Sequence, residues 1–489
     1  MRVVYLLVTS CLLVVFPVSC VSPSREGLPP GSPFLESAAL AGDFLPQGIA
    51  VGDVSSSSAL LWVRTGGPAT VQIEWATPAL WESVSKLATV IAPMSRTKPL
   101  PATAETDYTL SIPLEGLSAA TRYRYHILAK QAGDSKDQAA ATLVAQGEFS
   151  TLPDAKTSVP ITFAWSGDLG GQERCRQGPD GYPIFNVMGR QRLDFFLFLG
   201  DTIYSDSSCP SPPNEPGADF KAATLAEYRA RHRYQRGAES LRRFLERVPV
   251  YVTWDDHEVR NDFSGPFDSQ MPAGRQALRE YWPISTHRDE PHRLYRSVRY
   301  GADLELFILD TRQYRSRDAD PDGPAKTMLG AAQLRWLIEG LAHSSATWKV
   351  IATSVPLSIP KGGEGYSDGW ASGPNGPGFE RERQVIVDAI LTAKMKNVVF
   401  LGGDVHYVQA NAYDPDADGV IDFHEFVAGP LSARPGRETP ANETLHPMRL
   451  INEGGYHNFG LARVTASSFE VSIVDDAGKV RFSHRLLAQ

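Results

Sequence analysis

The chain has 489 residues, of which 42% are hydrophobic and 21% are charged, an ordinary composition for a globular protein. At about 150 residues per domain, this length predicts two to three domains. Acidic side chains (56) outnumber basic ones (48), which gives a net charge of −8. A nucleic-acid scaffold or a polybasic membrane binder needs an excess of cations, so both are excluded, whereas a local cationic pocket for phosphate is not.

The chain begins with an apolar segment, residues 3–18. This segment is shorter than the ~20 residues that cross a bilayer, and it has the length of the apolar core of a secretory signal. We therefore expect residues 1–20 to be a signal peptide and the mature protein to be periplasmic, extracellular or attached to the cell surface. Ser19-Cys20 resembles a bacterial lipoprotein cleavage site. Two outcomes stay open: a lipid anchor to the membrane through Cys20, or simple cleavage.

The predicted mature chain holds two cysteines, Cys175 and Cys209. In an oxidising compartment an even pair of cysteines predicts a disulfide. Each follows one of the acidic strand ends described below, so the two loops can lie side by side. The alternative is that one of the two is a metal ligand.

The first half of the mature chain has the pattern of an all-β domain. Residues 21–41 are rich in Pro, Ser and Gly and predict a linker. Residues 42–152 contain short segments in which apolar and polar residues alternate, separated by turn residues. This pattern predicts a β-sandwich of about 100 residues. The stretch from Leu117 to Tyr125 resembles the second half of a fibronectin type III or immunoglobulin-like module.

The pattern changes after Pro160, where apolar strands begin to alternate with helical segments. This alternation predicts an α/β domain over residues 155–489, with a sheet covered on its faces. A Gly-rich segment, residues 361–378, predicts a mobile loop over a site. The predicted strands span residues 161–168, 194–201, 248–256, 304–312, 348–356 and 397–404.

An arginine-rich stretch, residues 229–247, precedes the third of these strands. Such a run can attract anionic substrates. More often it is the solvated face of a helix, and both interpretations stay open.

Almost every predicted strand of the α/β domain ends in a polar cluster. One acidic strand end usually caps a helix, but five of them in chain order predict a common site, because ligands bind at the carboxyl ends of strands in α/β sheets. The clusters are Gly167-Asp168-Leu169-Gly170, Gly200-Asp201-Thr202-Ile203-Tyr204, Asp255-Asp256-His257-Glu258, Asp310-Thr311-Arg312 and Gly402-Gly403-Asp404-Val405-His406.

Carboxylates that converge at one edge repel one another and take up protons unless multivalent cations lie between them, so we predict a pair of metal ions. One carboxylate can bridge two metals, and we assign that role to Asp201. Tyr204 can offer a phenolate and His406 an imidazole. This oxygen-rich set favours Fe(III), Ca(II), Mn(II) or Mg(II) over a thiolate zinc site. The predicted ligands are Asp168, Asp201, Tyr204, Asp256, Asp404 and His406.

The motifs GDLG, GDTIY, DDHE and GDVH resemble, in this order, those of the calcineurin-like metallophosphatase superfamily, which includes the purple acid phosphatases. With WDDHE, LDTRQYR and GGDVHY behind a fibronectin-like module, residues 42–489 resemble the alkaline phosphatase D (PhoD-like) family. The resemblance implies a four-layer αββα catalytic domain, hydrolysis of phosphate mono- or diesters, and a dinuclear or trinuclear centre in which Tyr-bound Fe(III) lies beside Ca(II). Asp256 and Asp404 replace an Asn and a His of the wider superfamily.

The resemblance also bears on the cysteines. Some members of the family use a cysteine near the first strand end as an iron ligand, whereas this chain reads Ser166-Gly167-Asp168 there. Asp168 is therefore expected to take that role, and the Cys175–Cys209 disulfide is preferred.

Two residues are predicted to be catalytic. By the resemblance, His257 stabilises the phosphoryl oxygens or protonates the leaving group. The planar guanidinium of Arg312 suits phosphate, and its alternative is an ion pair with Asp310 or another strand-end acid. Asn261 is a further candidate ligand or positioning group.

A second metal site is predicted in residues 414–425, whose sequence DPDADGVIDFHE has the spacing of a calcium loop. Gly419 falls at the sixth position, where the chain turns sharply. The flanks resemble strands, so we predict a structural Ca(II) site without an EF-hand pair; the alternative is a solvated acidic hairpin. The predicted ligands are Asp414, Asp416, Asp418, the carbonyl of Val420, Asp422 and Glu425.

Together these patterns predict an exported, monomeric phosphomonoesterase or phosphodiesterase that attacks small phosphate esters with metal-activated water. A phospholipase D-like phosphodiesterase for lipid headgroups is an alternative among enzymes. An alternative of another class is a non-catalytic surface protein with the same fold. The fact that each motif retains its Asp and His argues against it.

Overall fold

The computed structural model of the chain describes residues 44–86, 94–132 and 141–489. The predicted signal peptide, the linker and the candidate lipidation site at Cys20 lie outside the described residues. In the described ranges, no helix combines the length and the apolar character that a membrane crossing requires.

The amino-terminal part of the described chain consists of short strands and one helix. Their bounds are β1 Ile49–Gly52, β2 Ser58–Arg64, β3 Ala69–Ala76, α1 Pro78–Lys86, β4 Ser95–Arg96, β5 Leu100–Ala102, β6 Thr109–Glu115, β7 Arg122–Gln131 and β8 Thr142–Ser150.

The remainder alternates strands and helices before it ends in a run of strands. The bounds are β9 Ile161–Ser166, α2 Ile184–Met188, β10 Phe195–Leu199, α3 Leu225–Arg236, α4 Glu239–Leu245, β11 Val250–Thr253, α5 Met271–Tyr281, β12 Arg296–Tyr300, β13 Leu304–Ile308, α6 Gly330–His343, β14 Trp348–Ala352, α7 Glu380–Thr392, β15 Val398–Gly402, β16 Val408–Tyr413, β17 Phe423–Val427, β18 Pro447–Glu453, β19 Asn458–Val464, β20 Ser468–Asp475 and β21 Val480–Leu487.

Two mixed sheets organise these strands. The larger has the order β21-β20-β19-β9-β10-β11-β1-β2-β6, and the second has the order β12-β13-β14-β15-β17-β16-β18. At the centre of each sheet the neighbours are parallel: β9, β10 and β11 in the first, and β13, β14, β15 and β17 in the second. These central strands carry nearly continuous apolar sequences, as expected where both faces of a sheet are covered.

The residues of β10 show how the two sheets and the helices share the apolar side chains. Successive side chains of a strand point to opposite faces. Phe195 and Leu197 belong to a buried cluster with Leu306 of β13, in the second sheet. Phe196 and Phe198 belong to another cluster, which includes side chains of α2, α4 and α5. One face of this sheet therefore packs against the second sheet and the other against helices.

The second sheet is covered on its outer side in the same way. Phe307 of β13 and Ile351 of β14 share a buried cluster with Leu337 of α6 and Ile386 of α7. The architecture is that of an α/β protein with mixed sheets and helices on their outer faces, as the sequence predicts.

The amino-terminal strands are joined to the larger sheet by hydrogen bonds. Strand β1 pairs in parallel with β11, where Gly52 lies opposite Val250, and β2 and β6 extend the same sheet. A separate small sheet, β4-β3-β7-β8 with β5 beside β3, shares a buried cluster with β1, β2 and β6. The sheet therefore crosses the predicted domain boundary near residue 152, because its edge strands come from the amino-terminal segment.

Trp62 of β2 lies at this junction and is fully buried. Its indole N–H donates to the carbonyl of Glu280, 2.7 Å away. The guanidinium of Arg236, at the end of α3, lies 3.9 Å from the centroid of the Trp62 ring and 4.9 Å from that of Trp282. A buried cation between two indoles is stabilised by the negative faces of the rings. This contact joins the amino-terminal strands to the helices beside the larger sheet.

We expect the Trp62→Ala variant to lose about 3–5 kcal/mol of unfolding free energy, because it leaves a large cavity and removes one face of the Arg236 site. Urea unfolding followed by circular dichroism measures the loss. The control is Leu487→Ala, whose side chain is 68% exposed, with an expected change within about 0.5 kcal/mol. Equal stabilities for the two variants would show that the junction does not stabilise the fold.

Candidate metal centre

Three Gly-Asp pairs bring carboxylates together from both sheets. Asp168 follows β9, Asp201 follows β10, and Asp404 follows β15 of the second sheet. All three have left-handed backbone conformations, with φ of 64°, 52° and 72°. Aspartate tolerates this region better than most residues, and such strain accumulates at functional sites where the surrounding structure holds it. All three side chains are buried.

The glycine before Asp201 explains one of these motifs. Gly200 has a φ of 99°, and a Cβ atom there would lie 2.5 Å from Cβ of Asp255. Only glycine therefore allows the end of β10 to lie this close to the segment after β11. A second glycine, Gly171, lies against Tyr204, because a Cβ atom there would overlap the phenol ring at 2.0 Å.

The first group of candidate ligands consists of Asp168, Asp201 and His406, whose ligand atoms lie within 4.8 Å of one another. Nε2 of His406 is 3.4 Å from a carboxylate oxygen of Asp168. The hydroxyl of Tyr204 is 2.7 Å from the same Nε2. The structure thus brings together four of the six predicted ligands at one position.

The second position contains Asp201, Asp256 and His257, within the same mutual distance. Asp201 belongs to both groups, as its predicted bridging role requires. A neighbouring group joins Asp255, Asp256 and Asp404, so all six predicted ligands lie in one continuous cluster.

Several carboxylate oxygens of the cluster are buried and accept no hydrogen bond. Buried acceptors without a donor are costly in a native protein, so these oxygens require a cation or another donor. A hard multivalent cation fits them by charge and by ligand chemistry. The oxygens are Oδ2 of Asp168, Oδ2 of Asp201, Oδ2 of Asp255, Oδ1 of Asp256 and Oδ2 of Asp404.

The crowding of these carboxylates also shifts the pKa of side chains in the cluster. Burial and the neighbouring carboxylates raise the pKa of Asp201 well above its usual value, and burial does the same for Asp404. Burial, followed by the charge of Asp201, also raises the pKa of the Tyr204 phenol. A phenolate at Tyr204 therefore requires a multivalent cation beside it, since the protein alone favours the phenol.

Lys361 is a cation that the sequence analysis missed. Its ammonium forms an ion pair with Oδ1 of Asp404, where the Gly-rich segment 361–378 begins. Burial lowers the pKa of Lys361, but the charges of Asp404 and Asp256 outweigh it, and the net pKa lies well above the usual value. One positive charge thus already faces the acidic cluster from the loop.

His257 is oriented by three contacts. Its Nδ1 lies 2.7 Å from Oδ1 of Asp206, and its backbone N–H donates to Asp201 over 3.1 Å. Its ring stacks on Tyr204 at a centroid distance of 4.0 Å. Burial lowers the pKa of His257, but Asp256 and Asp206 outweigh it and raise the pKa to about 9. The imidazole is therefore held as a proton donor near neutral pH.

Glu258 connects two of the strand ends without facing the cluster. Its carboxylate accepts hydrogen bonds from the backbone N–H groups of Asp201, Thr202 and Asp255, and from the Thr202 hydroxyl. One buried side chain thereby fixes the turns after β10 and β11 relative to each other.

Arg312, predicted to contact phosphate, is fully buried and fully paired. Its Nε donates to Asp255 over 2.7 Å, and its two terminal nitrogens donate to the two oxygens of Asp368 over 2.6 and 2.7 Å. These contacts correspond to the predicted alternative, an ion pair with a strand-end acid. The partners of the side chain are Asp255 and Asp368 rather than Asp310. The geometry makes Arg312 a positioning residue behind Asp255.

Cys175 and Cys209 form a disulfide with a Cα–Cα distance of 5.9 Å. It leaves no free thiol for a metal among the described residues. Arg231 of α3 donates to the carbonyl of Tyr204 over 2.5 Å and lies 3.3 Å from Sγ of Cys209. The disulfide and Arg231 therefore hold the loop that carries Tyr204.

The predicted calcium loop brings three carboxylates together, those of Asp414, Asp416 and Asp422. Gly419 has a φ of 88°, as its position in the turn requires. Asp418 uses one oxygen to accept the N–H of Val420, over 2.8 Å.

The prediction for Glu425 is corrected by the structure. Glu425 lies in β17 and is fully buried. Its carboxylate accepts the N–H of Leu357 over 2.6 Å and the hydroxyl of Tyr413 over 2.5 Å. The twelfth position of the loop points into the core because the chain has already entered a strand, so Glu425 is not available to the loop.

A pocket of about 320 Å³ opens over the acidic cluster. Its lining includes His257, Asn261, Asp404 and His406. Asn261 is positioned by its backbone N–H, which donates to Asp206 over 2.9 Å. The lining also includes Lys361, Tyr407, Arg434 and Arg437.

Four functional residues were not predicted from the sequence. Each carries a polar side chain in a loop, and its contacts join distant parts of the chain, so spacing alone does not reveal it. The available signal was weak: two lie near a recognised motif, and two lie inside the Gly-rich segment. They are Asp206, Lys361, Asp368 and Asp262, whose carboxylate lies close to those of Asp256 and Asp368. Glu258 lies in a predicted motif, but its role in joining two turns does not follow from the sequence.

Comparison with protein families agrees with this geometry. Residues 166–473 match the model of the PhoD-like phosphatase family, and residues 32–153 match that of the PhoD-like phosphatase N-terminal domain. Alkaline phosphatase D of Bacillus subtilis (strain 168) is 29% identical over 409 residues. That alignment covers 73% of this chain and 64% of the relative, so the chain spans somewhat less than two thirds of its length.

Two solved structures share the fold. A structure of PhoD superposes with a TM-score of 0.72 at 24% identity and covers 91% of each chain. A purple acid phosphatase from yellow lupin (Lupinus luteus) seeds superposes with a TM-score of 0.59 at 12% identity, covering 90% of this chain and 74% of its own. These likenesses support the α/β metallophosphatase fold.

We expect Arg312→Gln to lower the unfolding free energy by about 3–5 kcal/mol in protein treated with a metal chelator, because two buried carboxylates lose their shared partner. Urea unfolding measures this change, with the exposed Arg463→Gln as the control.

The affinity for inorganic phosphate tests the opposite role, in which Arg312 contacts phosphate. If Arg312→Gln weakened phosphate binding to the metal-loaded protein while its stability stayed equal to that of the control, Arg312 would contact phosphate directly. Its role as a positioning residue would then be wrong.

Proposed function

Since the chain belongs to the PhoD-like phosphatase family, we propose that it is a metal-dependent phosphoesterase that hydrolyses small phosphate mono- or diesters. The observation that carries this proposal is the cluster of buried carboxylate oxygens without donors at the ends of β9, β10, β11 and β15. Such a cluster destabilises a protein that does not bind cations, so its presence favours a function that uses them.

The donor sets favour different metals at the two positions. The group of Asp168, Asp201, Tyr204 and His406 includes a phenol and an imidazole, which suits Fe(III). The groups around Asp256 offer carboxylates, which suit Ca(II). Metals bound there would act as Lewis acids and lower the pKa of a water molecule.

The residues around the cluster prepare a phosphoryl group for attack. Protonated His257 donates from Nε2, while Asp206 on Nδ1 keeps the ring in that orientation. A donor that is oriented in this way can stabilise a phosphoryl oxygen or protonate a leaving alcohol. Lys361 adds a second cation to the lining of the pocket, beside Asp404.

The arrangement of domains is part of the proposal. The shared clusters support a four-layer αββα catalytic domain over residues 155–489, preceded by a sandwich over residues 42–152. One layer of that sandwich, β1, β2 and β6, is also the edge of the larger sheet. The disulfide supports export into an oxidising compartment. A monomer is proposed because one chain supplies every group of the site.

Hydrolysis of bis-p-nitrophenyl phosphate by the purified, metal-loaded protein tests the proposed function. We expect Asp201→Asn to lower the rate by at least about a thousand-fold, ~4 kcal/mol of transition-state stabilisation, because one residue serves both metal positions. Metal content by mass spectrometry should fall in parallel. The control Asp388→Asn changes an exposed residue of α7 and should keep both the rate and the metals.

The other outcomes separate the alternatives. Activity on the corresponding monoester alone would restrict the proposal to phosphomonoesters. A strong preference for phospholipid aggregates over short esters would favour the phospholipase D-like alternative. Bound metals without hydrolysis of any ester would favour the non-catalytic surface protein and overturn the proposed function.

We further propose that Asp414, Asp416 and Asp422 bind a structural Ca(II), without Glu425. Calcium that binds only the folded protein raises its stability by about 2.7 kcal/mol at a hundred times the dissociation constant. The expected result is a rise in Tm with calcium that is smaller in Asp416→Asn than in the Asp388→Asn control. Equal calcium-dependent rises in the two variants would contradict a site in this loop.

A further inference from the structure

A short loop beside the metal centre presents two arginines to the pocket. We call residues 434–437 the arginine loop; its sequence is Arg-Pro-Gly-Arg. Arg434 and Arg437 both line the pocket and both are exposed. Neither residue belongs to a predicted motif, and neither has a part in the proposed chemistry.

The backbone of the arginine loop is held directly on a candidate metal ligand. Nδ1 of His406 lies 2.8 Å from the carbonyl of Arg434, and the N–H of Gly436 donates to the carbonyl of His406 over 2.7 Å. A Cβ atom at Gly436 would lie 2.8 Å from the carbonyl oxygen of Val405, so the close approach depends on glycine. The loop and the His406 ring therefore have a fixed relation to each other.

Two further contacts anchor the ends of the loop. The backbone N–H of Arg434 donates to Oε1 of Gln172 over 3.2 Å. Beyond the loop, the hydroxyls of Tyr407 and Thr439 lie 2.8 Å apart. A loop that is anchored at both ends presents its side chains at low entropic cost, which favours a binding function over a freely moving surface segment.

The two guanidiniums lack strong partners. Within the described ranges, no carboxylate lies within 4.0 Å of Arg437, whereas Arg434 has Glu173 at 3.7 Å. Both members of that pair are mostly exposed, at 61% and 72%, and such surface pairs contribute little. The buried Arg312, in contrast, is fully paired. The arginine loop therefore keeps two positive charges available to a ligand in the pocket.

The arginines and the metal centre border the same pocket. Asp201, Asp256 and His257 form one candidate metal position, at which a phosphoryl group would bind, and Arg434 and Arg437 line the pocket next to His406. The pocket of about 320 Å³ has room for an organic group beyond the phosphoryl group. An anion on that organic group would face the arginine loop.

We propose that Arg434 and Arg437 select phosphate esters whose organic part carries a second anionic group, a phosphate or a carboxylate. This inference rests on the proposed function and adds the substrate class. A guanidinium binds either anion through paired hydrogen bonds, so the shared chemistry is a second oxyanion beside the reacting ester.

A matched pair of non-hydrolysable ligands tests the inference without catalysis. The first is 3-phosphonopropanoate, and the second is 3-methylbutylphosphonate, in which two methyl groups replace the carboxylate oxygens. We expect the metal-loaded protein to bind the first about ten times more tightly in titration calorimetry. In the double variant Arg434→Gln/Arg437→Gln this ratio should fall to about one or two.

The control for these variants is Arg463→Gln. Arg463 is exposed and lies opposite Thr162, at the start of β9, about 20 Å from the strand end that carries Asp168. It should retain the full ratio. Equal binding of the two ligands by the unaltered protein, or an unchanged ratio in the double variant, would overturn the inference.

The two corresponding p-nitrophenyl phosphodiesters, with 2-carboxyethyl and 3-methylbutyl as the second arm, separate this inference from the proposed function. Hydrolysis of both with equal kcat/KM would overturn the inference and support the phosphoesterase. Hydrolysis of neither diester nor of p-nitrophenyl phosphate, together with the tenfold binding ratio, would overturn the phosphoesterase and support the anion-binding loop. A tenfold preference for the carboxyethyl ester that the double variant loses would support both.

Discussion

The repulsion among buried carboxylates is the constraint on which the rest of the structure depends. Asp168, Asp201, Asp256 and Asp404 come from the ends of four strands in two sheets, and all four carboxylates are buried close together. Selection for stability alone would favour apolar residues at these four positions. The surrounding residues instead reduce the repulsion: Lys361 forms an ion pair with Asp404, and Arg312 forms one with Asp255. The fold therefore holds a cluster of negative charges at this site, which bound cations would balance.

Holding such a cluster requires rigid turns, and long-range contacts supply them. Glu258 joins the turns after β10 and β11, while the disulfide and Arg231 hold the loop of Tyr204. Because strained left-handed residues lie at three of the strand ends, a turn that relaxed would move a ligand away from its metal. These contacts therefore fix the geometry of the centre.

The sequence predicted the strand ends well, because a Gly-Asp pair after an apolar strand is a local pattern. All six predicted metal ligands meet in the structure. Contacts that depend on the path of distant loops were missed, as Lys361 and Asp368 show. The prediction that Glu425 is a calcium ligand was wrong for a different reason. The spacing of a calcium loop does not show that the chain enters a buried strand at that position. In the arginine-rich stretch, Arg231 and Arg236 are buried, so these two arginines do not belong to a solvated helix face, whereas Arg247 is exposed.

The amino-terminal strands illustrate why a domain boundary is difficult to read from composition. Their alternating pattern is typical of an independent sandwich, yet β1 pairs with β11, two positions from the strand that leads to Asp201. Edge strands of a sheet can come from any segment with the right apolar face, since the hydrogen bonds are made by the backbone. The amino-terminal segment thereby protects an edge that would otherwise be exposed, and it supports the strands whose ends carry the metal centre.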